Sequence, residues 1–289
     1  MKKTKLKIGR IPYANLFPIF YYLEKECSGS AYKFIRGVPS KLNKMLRSGE
    51  LDVSISSSIE YLRNKDKYRI LPWFSISSSG AIKSILLFSR LPINELGGKK
   101  IALTSDSETS VVLLKIILKE FLSLKCKFTP VNRQSVKNIL SSFDAVLHIG
   151  DTAMREAKKI VKSCKLKVKS EKPKTKLNSS LSTLNSQLYI YDLGELWDKY
   201  TGLPFVFALW IVRKETAGEK KELVRKLSSD LVSAGKYAKR KYPLIAREAP
   251  QKKWLSEKEL VGYWKIISYD FTEKHLEGLK LFEKYEKKL

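Results

Sequence analysis

Asparagine and serine, rather than histidine or cysteine, are the residues of this chain whose placement could do chemistry. Asn15 lies in Pro12-Tyr13-Ala14-Asn15-Leu16-Phe17-Pro18, between an apolar strand pattern and an aromatic-rich helix pattern. Two serine-rich loops, Ser57-Ser58-Ile59-Glu60 and Ser105-Asp106-Ser107-Glu108, fit the S-x-x-E capping box. In that box the serine oxygen and the glutamate satisfy free N–H groups that open a helix. Hydroxyls and N–H groups left over at a helix start also hold a carboxylate. One such loop in each of two lobes would suit a dicarboxylate cleft, although capping alone accounts for each loop taken singly. Asn15, and Asp151 after Ile149-Gly150 at a strand end, have the same alternative of capping the helix that follows.

Other chemistries lack their residues. His148 and His275 are the only imidazoles and no HxxxH or Cys/His cluster exists, so no metal is expected. A hydrolase triad has no G-x-S-x-G to anchor it. There is no G-x-G-x-x-G or P-loop either, so dinucleotide and ATP binding lack support. Cys27, Cys126 and Cys164 are an odd, widely spaced set without C-x-x-C, which favours a reducing compartment over a disulfide framework.

The net charge of +27 is mostly lysine spread along the chain. It attracts anions, small dicarboxylates included. No zinc finger, RNP sequence or basic helix-turn-helix accompanies it, so nucleic acid is not an expected partner. Lys2, Lys3, Lys5 and Lys7 precede an apolar stretch, but Arg10, Pro12, Asn15 and Pro18 interrupt it, unlike a secretory signal. No apolar run approaches the ~20 residues that cross a bilayer. A soluble cytoplasmic protein without membrane insertion is expected.

The elements that must position these residues alternate between strand and helix. Strand patterns cover Lys5–Ile11, Tyr32–Ile35 and Leu51–Ile55, with helices over Phe17–Leu23 and Pro39–Arg47. From Ile70 to Ser89 two β segments flank Ser77-Ser78-Ser79-Gly80. A second βα set follows: Lys100–Leu103, a helix over Thr109–Leu122, a strand near Phe128 and another at Ala145–Ile149. Lysines dominate 158–176, which reads as a solvated helix end and surface loop. A strand over Leu188–Tyr191, a helix over Gly194–Lys199, the strand Phe205–Val212 and an amphipathic helical tail complete the chain. The pattern is α/β, with two lobes and mixed, mostly parallel sheets: residues 1–90 plus 200–289 in the first, 91–199 in the second. Ligand is expected in the cleft between them.

Strings along most of the chain resemble the chorismate dehydratase family of the futalosine route to menaquinone. They include Ile11–Pro18, Gly37-Val38-Pro39 with Leu42-Asn43, Gly49–Val53, Ser56–Tyr61, Leu71–Ser89 and Gly98–Ser110. Ile149-Gly150-Asp151, Tyr191–Trp197 and Thr201–Ala208 continue the match, whereas 155–187 and the far C-terminus match less well. The resemblance implies a type 2 periplasmic-binding-protein-like fold and a cofactor-free lyase converting chorismate to 3-[(1-carboxyvinyl)oxy]benzoate. It further implies catalytic roles for Asn15 and for a serine after the S-x-G turn, here Ser84 with Ser79 as the fallback. Ser57, Ser58, Ser79, Thr104, Ser105, Thr109, Ser110, Gly150 and Asp151 then form the substrate-binding set. Asn15 would donate to the leaving oxygen or to a carboxylate. Ser84 would hydrogen-bond the ring carboxylate or relay a proton, and a substrate carboxylate would serve as base.

This chain departs from its relatives at Ser79, often an aspartate there, and at Ala81-Ile82-Lys83; Lys83 either adds anion affinity or faces solvent. One alternative is the 1,4-dihydroxy-6-naphthoate synthase of the same route, which places a histidine in an Ile-His-Glu string where this chain has Ile149-Gly150-Asp151. His148 is offset from that position by two residues and so does not supply that histidine. A non-catalytic small-anion-binding protein is the alternative from another class.

Overall fold

A computed structural model of the chain describes residues 5–27, 31–132, 134–170 and 188–289, the side chains of 164–170 excepted. Short apolar runs form ten strands in two five-stranded sheets among these residues. The first sheet contains β1 (Leu6–Arg10), β2 (Tyr32–Arg36), β3 (Val53–Ser57), β4 (Tyr68–Ser78) and β10 (Phe205–Arg213), in the order β2-β1-β3-β10-β4. The second contains β5 (Ile85–Ser89), β6 (Lys100–Thr104), β7 (Lys127–Val131), β8 (Ala145–Ile149) and β9 (Tyr189–Asp192), in the order β7-β6-β8-β5-β9. In each sheet the strand that enters after a crossing from the other sheet, β10 or β5, is antiparallel to both neighbours. The remaining pairs are parallel.

This pairing moves one strand out of its expected lobe. Residues 85–89 fall within the expected first lobe, 1–90, yet β5 hydrogen-bonds to β8 and β9 of the second sheet. The two β segments around Ser77–Gly80 are therefore not a hairpin. The chain crosses between sheets from Ser78 to Ile85.

Helices cover the sheets. They are α1 (Phe17–Lys25), α2 (Pro39–Arg47), α3 (Ser58–Arg63), α4 (Glu108–Ile116), α5 (Val136–Ile139) and α6 (Gly150–Ser170), followed by α7 (Leu193–Thr201), α8 (Lys214–Glu219), α9 (Lys221–Glu248), α10 (Glu257–Ile266) and α11 (Glu273–Glu286). The expected helix over Thr109–Leu122 is instead α4 followed by a π-type turn over Ile117–Phe121. α9 bends at Lys241, where Pro243 removes an N–H from the helical ladder. Every position of β3, β5 and β8 is buried, which explains their apolar or small-residue character, His148 of β8 excepted. One core cluster runs through both lobes and includes Phe20, Trp210 and Trp264. A smaller one, with Phe88 and Val146, lies under α5 and α6.

Within the lysine-rich stretch, Lys158 reaches from α6 to α10, bonding Glu259 at 2.8 Å and the Trp254 carbonyl at 2.8 Å. Residues 171–176 of that stretch lie outside the described residues. No helix among the described residues is long and apolar enough to cross a membrane.

Helix α7 packs tightly on the crossing segment: a Cβ on Gly194 would lie 2.7 Å from the Gly80 carbonyl oxygen and 2.8 Å from Ser78 Oγ. Gly262, inside α10, has open space around it. Gly194→Ala is expected to destabilise the protein by about 1–3 kcal/mol through overpacking. Gly262→Ala should instead stabilise it by about 0.5–1 kcal/mol through reduced backbone entropy in the unfolded chain. Urea midpoints of the two variants moving in opposite directions check both.

Candidate functional site

A cleft opens where the carboxyl ends of β1, β3 and β8 meet the start of β5, with about 630 Å³ of unfilled space, solvent at its mouth included. Its walls are apolar, with Ile11, Ile55, Ile76, Ile82, Ile149 and Phe207 among them. Asn15, Ser57, Ser84, Ser107 and Ser110 supply polar side chains, and Gly150 supplies backbone. None of its lining residues carries a charged side chain.

Asn15 sits in a single 3-10 turn, Ala14–Leu16, whose backbone is tied down on all sides. The Ala14 N–H donates to Asp151 Oδ1 at 2.9 Å, and Trp264 Nε1–H donates to the Ala14 carbonyl at 2.8 Å. Tyr269 Oη–H donates to the Asn15 carbonyl at 2.7 Å. The side-chain Oδ1 of Asn15 is buried and accepts no protein hydrogen bond. A buried acceptor in that state calls for a hydrogen-bond donor from outside the protein.

Ser84 ends the crossing segment and is 3% exposed. Its carbonyl accepts the Gly150 N–H at 2.7 Å, and its Oγ accepts from Tyr263 Oη–H at 2.9 Å. Just before it, Lys83 has φ +60°, a left-handed conformation that costs a non-glycine residue energy. Asp192 compensates by accepting the N–H groups of Ile82 at 3.1 Å and Lys83 at 2.6 Å. It also caps α7 through Gly194 and Glu195. Burial pushes the Asp192 carboxyl above the ordinary aspartate range, against these four N–H bonds, which favour its ionised form. The Lys83 side chain is exposed and does not line the cleft.

Ser57 makes no capping bond to α3. Its Oγ accepts from Asn43 Nδ2 at 3.3 Å. Ser107, not Ser105, is the N-cap of α4: it accepts the Ser110 N–H at 3.3 Å, and the two hydroxyls lie 3.1 Å apart. The capping-box spacing pointed two residues too early. The signal that finds Ser107 is its place immediately before the apolar helix pattern.

Asn15, Ser57, Ser84, Ser110 and Gly150 thus line one cleft. The other sequence candidates do not, because neighbouring backbone groups or solvent take them. Ser58 Oγ–H donates to the Val206 carbonyl at 2.5 Å, and Thr109 Oγ1 accepts the Ile59 N–H at 3.1 Å, joining α4 to α3. Thr104 accepts the Asp106 N–H at 3.2 Å, while Ser79 and Ser105 are exposed. Asp151 spends its carboxylate on Ala14 and on Gln251 Nε2, the latter at 3.0 Å. His148 packs edge-on to Phe88 and is absent from the cleft lining. Tyr263 and Trp264 of α10 and Tyr269 after it carry no motif, and sequence reasoning missed them.

The arrangement suits an anion that carries polar oxygens on an apolar body. The starts of α4 and α6 face the cleft, and the partial positive charge at a helix N-terminus favours carboxylate there. Hydroxyls from both lobes can orient it. No imidazole, carboxylate or amine lines the cleft as a base.

Asp151→Ala is expected to cost about 1–3 kcal/mol by leaving the Ala14 N–H unpaired. Asp151→Asn, which keeps one acceptor, should cost less. Thermal unfolding of the two variants checks the order.

The menaquinone biosynthesis family matches residues 6–288 of this chain. A chorismate dehydratase from Thermus thermophilus is 34% identical over 213 residues, 74% of this chain and 72% of that one. Another, from Campylobacter jejuni, is 46% identical over 63 residues, 20% of this chain and 28% of that one. Among solved structures, a protein from Archaeoglobus fulgidus superposes with a TM-score of 0.65 at 18% identity, covering 100% of this chain and 98% of that one. The periplasmic aliphatic sulphonate binding protein of Escherichia coli gives a TM-score of 0.65 at 11% identity, covering 98% and 92%. At such low identities these likenesses speak to the fold, which is that of periplasmic binding proteins. Matched from the first residue of β1 to beyond the end of α11, the chain belongs to the menaquinone biosynthesis family.

Proposed function

We propose that this chain is a hydro-lyase that removes water from chorismate to give 3-[(1-carboxyvinyl)oxy]benzoate, at the head of the futalosine route to menaquinone. The observation that carries this reading is the 34% identity to a chorismate dehydratase over 74% of this chain and 72% of the other. The cleft supports it by its chemistry. Chorismate is a dicarboxylate on an unsaturated six-membered ring, and the site offers neutral donors from two lobes around apolar walls.

In the reaction a ring C–H bond and the neighbouring C–OH bond break, a ring double bond forms, and hydrogen and hydroxide leave as water. The product ring is aromatic, so the chemistry has a large intrinsic drive. The protein contributes orientation and stabilisation of the departing oxygen. On this reading Asn15 Nδ2–H and the Ser84 hydroxyl hold the leaving oxygen or a carboxylate. Ser57 and Ser110 hold the remaining carboxylate oxygens by charge-assisted hydrogen bonds. Because no side chain lining the cleft is a ready base, one of the substrate's own carboxylates takes the proton. No cofactor enters the scheme. The free thiols of Cys27 and Cys126 support a reducing, cytoplasmic setting. His148 against Phe88 weighs against the naphthoate synthase alternative.

Purified protein mixed with chorismate and no added cofactor should yield a product one water lighter with an aromatic absorbance, read by mass spectrometry and ultraviolet spectra. Chorismate that binds but survives would mean an anion-binding protein, and failure to bind would remove chorismate as substrate. Asn15→Ala and Ser84→Ala are each expected to lower kcat by about 10²-fold, the loss that follows removal of one donor to a developing oxyanion. Near-normal turnover in both would end their assignment as catalytic residues.

A further inference from the structure

The end of α10 and the residues after it reach between the lobes and deliver three buried donors to the loops that carry Asn15 and Ser84. Two of them, Trp264 Nε1–H and Tyr269 Oη–H, end on the backbone carbonyls of Ala14 and Asn15. They fix the course of the main chain. Tyr263 differs, because its Oη–H ends 2.9 Å away on the side-chain oxygen of Ser84, a residue of the cleft lining.

A serine hydroxyl has one hydrogen and two lone pairs. Tyr263 is 4% exposed, and burial pushes its phenol well above the ordinary tyrosine range, so its hydrogen stays in place. One Ser84 lone pair, on the side away from the cleft, is thereby occupied. The Ser84 carbonyl takes the Gly150 N–H, and no acceptor among the described residues takes the Ser84 Oγ–H. Ser84 lines the cleft, so that hydrogen is available to a molecule bound there.

We propose that Tyr263 is a positioning residue of the reaction: by donating to Ser84 Oγ from behind, it turns the serine hydroxyl hydrogen into the cleft and makes Ser84 a hydrogen-bond donor to bound substrate. The assignment rests on the dehydratase reading of the cleft. It also gives α10 a role in the chemistry beyond covering the core. Hydrogen bonds in series polarise one another, so the tyrosine strengthens the serine's donation as well as aiming it.

The test is a double-mutant cycle on the full chain: wild type, Tyr263→Phe, Ser84→Ala and the double variant, each measured for kcat and KM with chorismate, for chorismate affinity by calorimetry, and for thermal unfolding. Phenylalanine keeps the ring and removes only the donor. Tyr263→Phe is expected to lower kcat/KM about tenfold, the loss of a single hydrogen bond of ordinary strength. The double variant should be no slower than Ser84→Ala alone, because the tyrosine acts only through the serine. A tyrosine with a purely structural role would lower the unfolding temperature and multiply the Ser84→Ala loss by its own factor. That result, or wild-type kcat/KM in Tyr263→Phe, overturns the proposal. Wild-type protein that leaves chorismate unconverted would overturn the dehydratase reading instead. The same cycle read in Kd for chorismate would then still decide whether Tyr263 acts through Ser84: additive losses overturn the assignment, non-additive losses uphold it.

Discussion

The buried carboxylate of Asp192 accepts the N–H groups of Ile82, Lys83, Gly194 and Glu195, and so determines where the chain passes from one sheet to the other. Two of these donors lie on the crossing segment and two open α7. One side chain therefore docks a helix and a connection against each other, with Gly194 small enough to let them meet. Hydrogen bonds to a charged group contribute about 1.5–3 kcal/mol each. Together they offset part of the cost of burying the carboxylate, and they hold Lys83 in a left-handed backbone that costs of order 1–3 kcal/mol. Ser84 follows directly on Lys83, so its position in the cleft is a consequence of this clamp.

Asp151 does the same for the other half of the site. It stands at the start of α6 in the second lobe and holds the Ala14 N–H of the first. The adjoining Gly150 has φ +58°, and a Cβ there would lie 3.3 Å from the Tyr13 ring. A side chain at that position would crowd the Tyr13 ring, on the loop that carries Asn15, and would strain the left-handed backbone. Two aspartates outside the cleft lining thus organise a cleft whose own lining is uncharged.

On the dehydratase reading proposed above, substrate and product are both dicarboxylates, and an uncharged lining suits that pair. A lysine or arginine clamp would hold the two about equally and add nothing to the chemical step. Directed hydroxyl and amide donors can instead be placed where charge develops on the departing oxygen. Attraction at a distance is left to the surface, where the +27 net charge raises the local concentration of any small anion.

By itself the sequence determined the local structure and the shortlist. Apolar runs of strand length alternating with helical periodicity specify an α/β chain. Ordered strings from Ile11 to Ala208 carried the family and brought Asn15 and Ser84 forward. The tertiary structure alone decided which hydroxyls remain available to a ligand. Ser58 and Thr109 are the immediate sequence neighbours of Ser57 and Ser110, yet the first is taken by Val206 and the second by Ile59. It likewise moved β5 into the second sheet and brought Tyr263 behind Ser84. The physical reason is that a polar side chain forms its bond with whatever packing places within about 3 Å, and those partners come from parts of the chain that local patterning does not link.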